Sequence, residues 1–228
     1  LLSNRTVLAY LVVAILWGGA SLLLRGFGAY GHLRYLIELS AVIGLVAAGQ
    51  TLVVIGGGID LSVGWVITVA AIGLPLLSPV ADPTGLVGIV LTLAVAGAIG
   101  CLNGVGIAWL RVHPLIMTLA MASLLQGALV IFAGGSAVSG QNPAVKWLGS
   151  ARPAGVPVGI VLWLVCAAAT LVFLHRTARG AQIFALGTNP LASRLSGVGV
   201  ERTTVLLYTL SGLAAGLAGI LVLGMNGQ

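Results

Sequence analysis

The sequence predicts an all-α fold, a polytopic helical bundle that spans a membrane. Three observations carry this prediction: 59% of the 228 residues are hydrophobic, only 6% are charged, and the mean hydropathy is +1.17. A soluble domain carries about a quarter charged residues. Because lipid offers no hydrogen-bond partners to the backbone, the apolar segments should form helices.

A helix needs about 20 predominantly apolar residues to cross a bilayer. Seven segments meet or approach this length, so we predict one transmembrane domain over 1–228. The third segment is short, which favours a tilted, broken or partly re-entrant helix. The seven spans are predicted at 6–24, 35–55, 61–78, 86–109, 114–133, 157–174 and 204–224.

The basic residues between the spans predict the topology, since inner loops carry an excess of Lys and Arg. With the N-terminus in the cytoplasm, six of these ten residues lie inside and four outside. The most basic loop, 175–203, then faces the cytoplasm with four Arg and one Glu. The Gly/Pro/Ser-rich loop 134–156 faces outward and is expected to hold one short interfacial segment. The net charge of +6 therefore indicates topology, and no nucleic-acid partner is expected.

One polar run, Ile55-Gly56-Gly57-Gly58-Ile59-Asp60-Leu61-Ser62-Val63-Gly64, separates the second span from the third. Its glycines can end one helix, and Asp60 or Ser62 can cap the next. Irregular backbone at membrane depth is also tolerated beside a cavity, so the run could border a substrate path. The two interpretations are compatible, and both stay open.

Among the uncharged polar side chains within the predicted spans, four are candidates for a pathway role: Gln50, Asn103, Thr118 and Gln126. Such a group needs a partner in lipid, and an interhelical hydrogen bond is the usual one. The functional alternative is that these amides and hydroxyls line a path for a polyhydroxylated solute, which they could bind weakly enough to release.

Four stretches together resemble a known family. They are Gly-Gly-Ile-Asp-Leu-Ser-Val-Gly at 57–64, Asn-Gly at 103–104 with the Pro-containing stretch 110–119, the loop segment 179–198, and Tyr-Thr-Leu-Ser-Gly-Leu-Ala-Ala-Gly-Leu-Ala-Gly at 208–219. In order and spacing they are similar to the inner-membrane permeases of monosaccharide ABC importers of the ribose, xylose and arabinose type, within the branched-chain amino acid and sugar permease superfamily. Gln126 departs from this pattern, where the family commonly has Arg.

The 175–203 loop contains Asn189-Pro190, a turn signal, before a short helical stretch, 191–196, that glycine would end. From the residues alone, the loop could merely fix orientation. The resemblance implies instead a coupling helix that docks into a groove of a cytosolic ATPase subunit. The residues matching the family here are Arg179, Gly180, Gly187, Asn189, Ala192, Arg194, Leu195 and Gly197.

The resemblance implies a permease subunit of an ATP-driven importer in the bacterial inner membrane, moving a monosaccharide or similar small polar solute. It implies three kinds of partner: two cytosolic ATP-binding subunits, a periplasmic solute-binding protein and a second permease copy, identical or related. The chain itself is expected to be no enzyme and to hold no cofactor or metal. Family members continue with several helices, so the C-terminal spans are expected to be missing here.

Two other classes of membrane protein share part of this pattern. An ion-coupled secondary transporter would also use broken helices, but ionisable groups are nearly absent from the spans, which argues against proton coupling. Sodium coupling through backbone carbonyls stays open. An intramembrane protease would need a Ser–His or Asp–Asp pair, and no His lies in a span interior. The chain has no GxxxxGK[ST] motif, so any ATP hydrolysis falls to another subunit.

Overall fold

The computed structural model describes residues 5–77, 84–133 and 142–226. Within these residues the regular structure is helical, which confirms the predicted all-α class. Ten α-helices follow one another: α1 Arg5–Leu23, α2 Tyr30–Ile55, α3 Val63–Leu77, α4 Leu86–Ala108, α5 Pro114–Ala133, α6 Pro143–Ser150, α7 Val158–Arg176, α8 Ala178–Thr188, α9 Pro190–Leu195 and α10 Val200–Asn226. A single 3₁₀ turn, Pro153–Gly155, precedes α7.

Each of the seven predicted spans falls on one helix. Five helices, α2, α4, α5, α7 and α10, are long and apolar enough to cross a membrane. The other two are shorter: α3 has 15 residues, and the apolar part of α1 runs over Val7–Leu23. The chain is therefore a multi-pass membrane protein. The second helix begins at Tyr30, five residues before the predicted start.

The 175–203 loop contains two helices, of which the sequence predicted only α9. Asn189 begins α9 as expected, since its Oδ1 accepts a hydrogen bond from the Ala192 N–H at 3.0 Å. Gly197 follows the helix with a φ of +82°, a conformation that favours glycine. The unpredicted helix, α8, begins at Thr177, whose Oγ1 accepts from the Gly180 N–H at 3.0 Å.

The loop predicted at 134–156 contains a short helix, α6, while residues 134–141 lie outside the described residues. Asn142 caps α6, because its Oδ1 accepts from the Val145 N–H at 3.1 Å. The same side chain donates from Nδ2 to the Gly85 carbonyl at 2.9 Å. The start of α6 is thereby tied to the start of α4.

The chain divides into two compact units, 1–40 and 41–228. The first contains α1 and the beginning of α2, where Arg34 Nε donates to Glu38 Oε1 at 3.2 Å. The second contains the remaining helices and the residues that matter for function.

Within the second unit, α10 packs against α3, α4, α6 and α8. Its contact with α4 is made by glycines on both helices, since small residues let helix backbones approach closely in membranes. A methyl group on Gly104 would lie 2.6 Å from the Val205 Cα, and one on Gly216 would lie 2.7 Å from the Ala96 Cβ. Gly212 lies against the Ala96 carbonyl and Gly100. The two backbones are therefore too close for side chains to separate them.

We expect Gly212→Ala to destabilise the protein by about 1–3 kcal/mol, because the added methyl would have to displace the α4 backbone. Gly127→Ala on α5 is the matched control, since a methyl there meets no atom within 4 Å. The measurement is the free energy of unfolding in detergent. Equal stability of the two variants would show that the α4–α10 contact is looser than described.

Candidate functional site

The polar run between α2 and α3 begins with a tight helix ending. The Gly58 N–H donates to the Val53 carbonyl at 2.9 Å and the Gly57 N–H to the Val54 carbonyl at 3.0 Å. With Gly57 at a φ of +81°, this is a Schellman ending. The prediction that these glycines end the helix is confirmed, and they turn the chain so that Asp60 enters the bundle.

Asp60 lies at the centre of the run, with 1% of its surface exposed. Its Oδ1 accepts hydrogen bonds from the Ser62 N–H at 3.0 Å and the Ser62 Oγ at 2.6 Å. Its Oδ2 accepts from the Ser211 Oγ of α10 at 2.9 Å. Asp60 therefore closes a turn ahead of α3 and binds α10, a larger role than the predicted helix cap.

Two amides extend this network to neighbouring helices. Asn103 of α4 donates from Nδ2 to the Ser62 Oγ at 2.9 Å. Gln50 of α2 donates from Nε2 to the Asp60 carbonyl at 2.5 Å. The Tyr208 hydroxyl of α10 donates to the Ile59 carbonyl at 3.2 Å. We call Gln50, Asp60, Ser62, Asn103 and Ser211 the Asp60 network; it joins α2, α4 and α10 to the break.

The donors to the Asp60 carboxylate are all uncharged. Among the described residues, neither recorded ion pair includes Asp60. A buried carboxylate is costly unless hydrogen bonds replace its hydration. The two serines and one backbone amide supply that replacement, so each donor stabilises both the charge and the position of its helix.

The other polar candidates lie elsewhere. Thr118 is buried, but its Oγ1 donates to the Pro114 carbonyl of its own helix at 2.9 Å. Gln126 is exposed on α5 and is not part of the network. A Cβ atom added to Gly64 would meet no atom within 4 Å. Packing therefore gives no reason for glycine at this position of the 57–64 stretch.

The sequence did not single out Ser211 and Tyr208 as site residues. Both lie on α10, three residues apart, so they share one helix face. Ser211 directly precedes Gly212, within the small-residue face of that helix. A polar side chain on a close-packed face needs a partner on the neighbouring element, and this rule could have indicated Ser211.

The 175–203 loop contacts the break directly. Gly187, near the end of α8, lies against the Ile55 carbonyl, and a methyl group on it would be 3.0 Å from the Ile55 carbonyl carbon. Gly57 faces Gly187 in turn. A Cβ atom added to Gly57 would lie 3.6 Å from the Gly187 Cα. The two segments that the sequence identified separately therefore meet at a pair of glycines.

An apolar cluster supports this contact. It joins α2, α7, α8 and α10 and consists of Leu52, Val53, Leu174, Ile183, Leu186, Leu207 and Tyr208. Ile183 and Leu186 bring α8 into the cluster, and Gly180 allows the tight turn from α7 because it lies against the Leu174 carbonyl. The α8 helix is thus anchored to the helices that carry the Asp60 network.

The α9 helix is more exposed than α8. Leu191 is 69% exposed and Leu195 82% exposed, and Ala192 beside them is also exposed. Arg194 forms an ion pair with Glu201 at the start of α10. The predicted docking residues therefore lie on an exposed apolar surface whose arginine is already paired within the chain.

The geometry indicates that the Asp60 network has a structural role. Asp60, Ser62 and Asn103 are buried, and they line neither of two clefts that open elsewhere in the second unit. The network therefore holds a broken helix in place. Of the two interpretations of the polar run, the helix break is observed, and a position beside a substrate path stays a prediction.

Comparisons with known proteins agree with this architecture. Residues 33–227 match the family described as branched-chain amino acid transport system, permease component. The chain belongs to this family. It is accordingly a transport subunit, the membrane-spanning permease of an ABC importer, as the sequence predicted. No solved structure gives a significant match.

Curated relatives cover most of the chain. The ribose import permease of Escherichia coli (strain K12) is 35% identical over 226 residues, 97% of this chain and 69% of the relative. The fructose import permease of Bifidobacterium longum (strain NCC 2705) is 34% identical over 199 residues, 85% of this chain and 55% of the relative. An autoinducer 2 import permease of Photorhabdus laumondii is 32% identical over 192 residues, 82% of this chain and 57% of the relative.

The network makes a prediction about stability. Ser211→Ala removes one donor and should cost about 1 kcal/mol, in the range of polar contacts between membrane helices. Asp60→Ala leaves three donors without an acceptor and should cost more, about 3 kcal/mol. The double variant should cost less than the sum, because the two residues share one bond. The measurement is the free energy of unfolding of each variant in detergent.

Ser123→Ala is the matched control for these variants. Its Oγ donates only to the Leu119 carbonyl of the same helix, at an exposed position, so we expect almost no change. Strict additivity of the Asp60 and Ser211 effects would contradict the hydrogen bond between them.

Proposed function

We propose that the chain imports a monosaccharide or a similar small polar solute across the bacterial inner membrane, driven by separate ATP-binding subunits. The sugar permeases among its relatives support the solute class. We propose a second permease copy and a periplasmic solute-binding protein as further partners. The single observation that carries the coupling mechanism is the contact of Gly187 with the end of α2, where the polar run that contains Asp60 begins.

The exposed side of α9 is proposed as the surface that binds the ATPase. Leu191, Ala192 and Leu195 offer a small apolar patch on a helix that projects beyond the packed core. Arg194 links this helix to the start of α10 through its ion pair with Glu201. A rigid, exposed apolar helix suits a groove in a partner, and it can transmit a displacement without bending.

A displacement of α9 would reach the spans through α8. Ile183 and Leu186 pack with α2 and α10, and Gly187 lies against the α2 terminus. Moving α8 therefore shifts the polar break, and Asp60 passes that shift to α10 through Ser211. We propose that ATP binding by the partner uses this chain of contacts to switch the permease between two access states.

We propose that the 56–62 break and the 175–203 loop both face the cytoplasm. Their contact with each other supports this orientation. The 56–62 break and the 175–203 loop meet at Gly57 and Gly187. Counting spans from a cytoplasmic N-terminus also puts both segments inside. The four arginines of the loop favour that side by the positive-inside rule.

Arg194→Glu combined with Leu195→Asp should abolish ATPase binding, because it breaks the ion pair and puts a charge on the apolar patch. The measurement is co-purification of the ATPase subunit with the full-length permease from native membranes. Lys146→Glu with Trp147→Asp is the control, as both residues are on exposed positions of α6. ATPase retention by the α9 variant would exclude α9 as the docking helix.

Gly187→Ala should separate docking from transport. The added methyl would collide with the Ile55 carbonyl, so the α8–α2 contact shifts while α9 remains intact. We expect the ATPase to remain bound and ATP-driven uptake in proteoliposomes to fall by roughly tenfold, the effect of a displacement that costs 1–2 kcal/mol. Gly73→Ala on α3 is the control, since a methyl there meets no atom within 4 Å. Equal uptake by the two variants would refute this path of transmission.

A further inference from the structure

A basic cleft opens where α8 meets the first turns of α10. It has a volume of about 480 Å³. Arg179 of α8 and Arg202 of α10 line it, together with the polar side chains of Gln182, Thr203 and Thr209. Two guanidinium groups and several hydrogen-bonding groups thus converge on one space at the end of the helical bundle.

The two arginines have no counter-charge within the described part of the chain. That part contains three acidic residues. Glu38 pairs with Arg34, Glu201 pairs with Arg194, and Asp60 is buried among uncharged donors. An anion from outside the described residues would therefore meet no competing carboxylate at these two exposed arginines.

The basic cleft is continuous with an apolar one. The second cleft has a volume of about 440 Å³ and shares Arg179 and Leu206 with the first. It is lined mostly by apolar side chains of α2, α7 and α10 and extends along α10 to Leu217. From Leu206 to Leu217 an α-helix rises about 16 Å. One leaflet of the hydrocarbon core is about 15 Å thick, half of about 30 Å.

We propose that this pair of clefts binds an anionic phospholipid. Its phosphate would lie between Arg179 and Arg202 with Gln182 and Thr203 as further donors, and one acyl chain would follow the apolar cleft to Leu217. The charge of the first cleft selects a net anionic headgroup, and the length of the second matches one leaflet. Basic pockets between membrane helices are suited to such headgroups.

The site is separate from the surface proposed for the ATPase. The exposed leucines of α9 do not line either cleft. An acidic side chain of the ATPase could neutralise the arginines, but it would leave the apolar cleft empty. The inference therefore goes beyond the proposed function and can be tested without the ATPase.

The test is native mass spectrometry of the full-length permease in detergent, titrated with phosphatidylglycerol or with phosphatidylcholine of the same acyl chains. We expect phosphatidylglycerol to bind more tightly. Arg179→Gln with Arg202→Gln should weaken its binding by roughly thirtyfold, since each basic residue contributes about 1 kcal/mol near an anionic headgroup. Arg176→Gln, an exposed arginine outside both clefts, should leave binding unchanged.

A second pair of variants tests the acyl cleft. Ala169→Phe should weaken phosphatidylglycerol binding because Ala169 lines that cleft, whereas Ala168→Phe should not, because Ala168 is exposed outside it. Equal binding of the two lipids, or equal effects within either pair of variants, would overturn the proposal. Glycerol phosphate binding as tightly as the lipid would show a simple anion site and would also overturn it.

Discussion

The carboxylate of Asp60 is buried in a membrane protein, and within the described part of the chain hydrogen bonds, not a cation, surround it. Two serines and a backbone amide donate to it, and one of these serines belongs to α10. Because an unsatisfied charge at this depth would be costly, the carboxylate requires its donors to stay in place. The position of α10 and the turn into α3 therefore depend on one side chain.

Close packing extends this constraint through the bundle. The glycines of α4 and α10 let the two backbones touch, which brings Asn103 within reach of Ser62. Dispersion between backbones and hydrogen bonds between side chains thus support each other. Without a hydrophobic driving force between helices in lipid, such combinations are what holds helices together.

Much of this architecture could be predicted from the sequence. Hydropathy located the seven apolar helices, and the glycines at 56–58 indicated the end of α2. The sequence could not show that Gly57 and Gly187, 130 residues apart, face each other. Periodicity describes one helix at a time, whereas a contact between loops depends on how every intervening helix packs.

The α8 helix escaped prediction for a physical reason. Its apolar side, Ile183 and Leu186, is short and lies among polar residues, a pattern typical of a loop. Gln126 lies on an exposed face of α5, and its position beside a solute path stays a prediction. An amide inside an apolar segment indicates a partner, and the sequence alone does not say which of the helix faces is buried.

The helix break also bears on how the protein is made. The Ile59 carbonyl accepts a hydrogen bond from the Tyr208 hydroxyl, and the Asp60 carboxylate accepts one from Ser211, 151 residues later in the chain. A ribosome delivers α2 and α3 to the membrane long before α10. Until α10 is inserted, the break lacks two of its partners and must stay at the water interface. The third helix can therefore reach its final depth only late in biogenesis, after most of the chain has been synthesised.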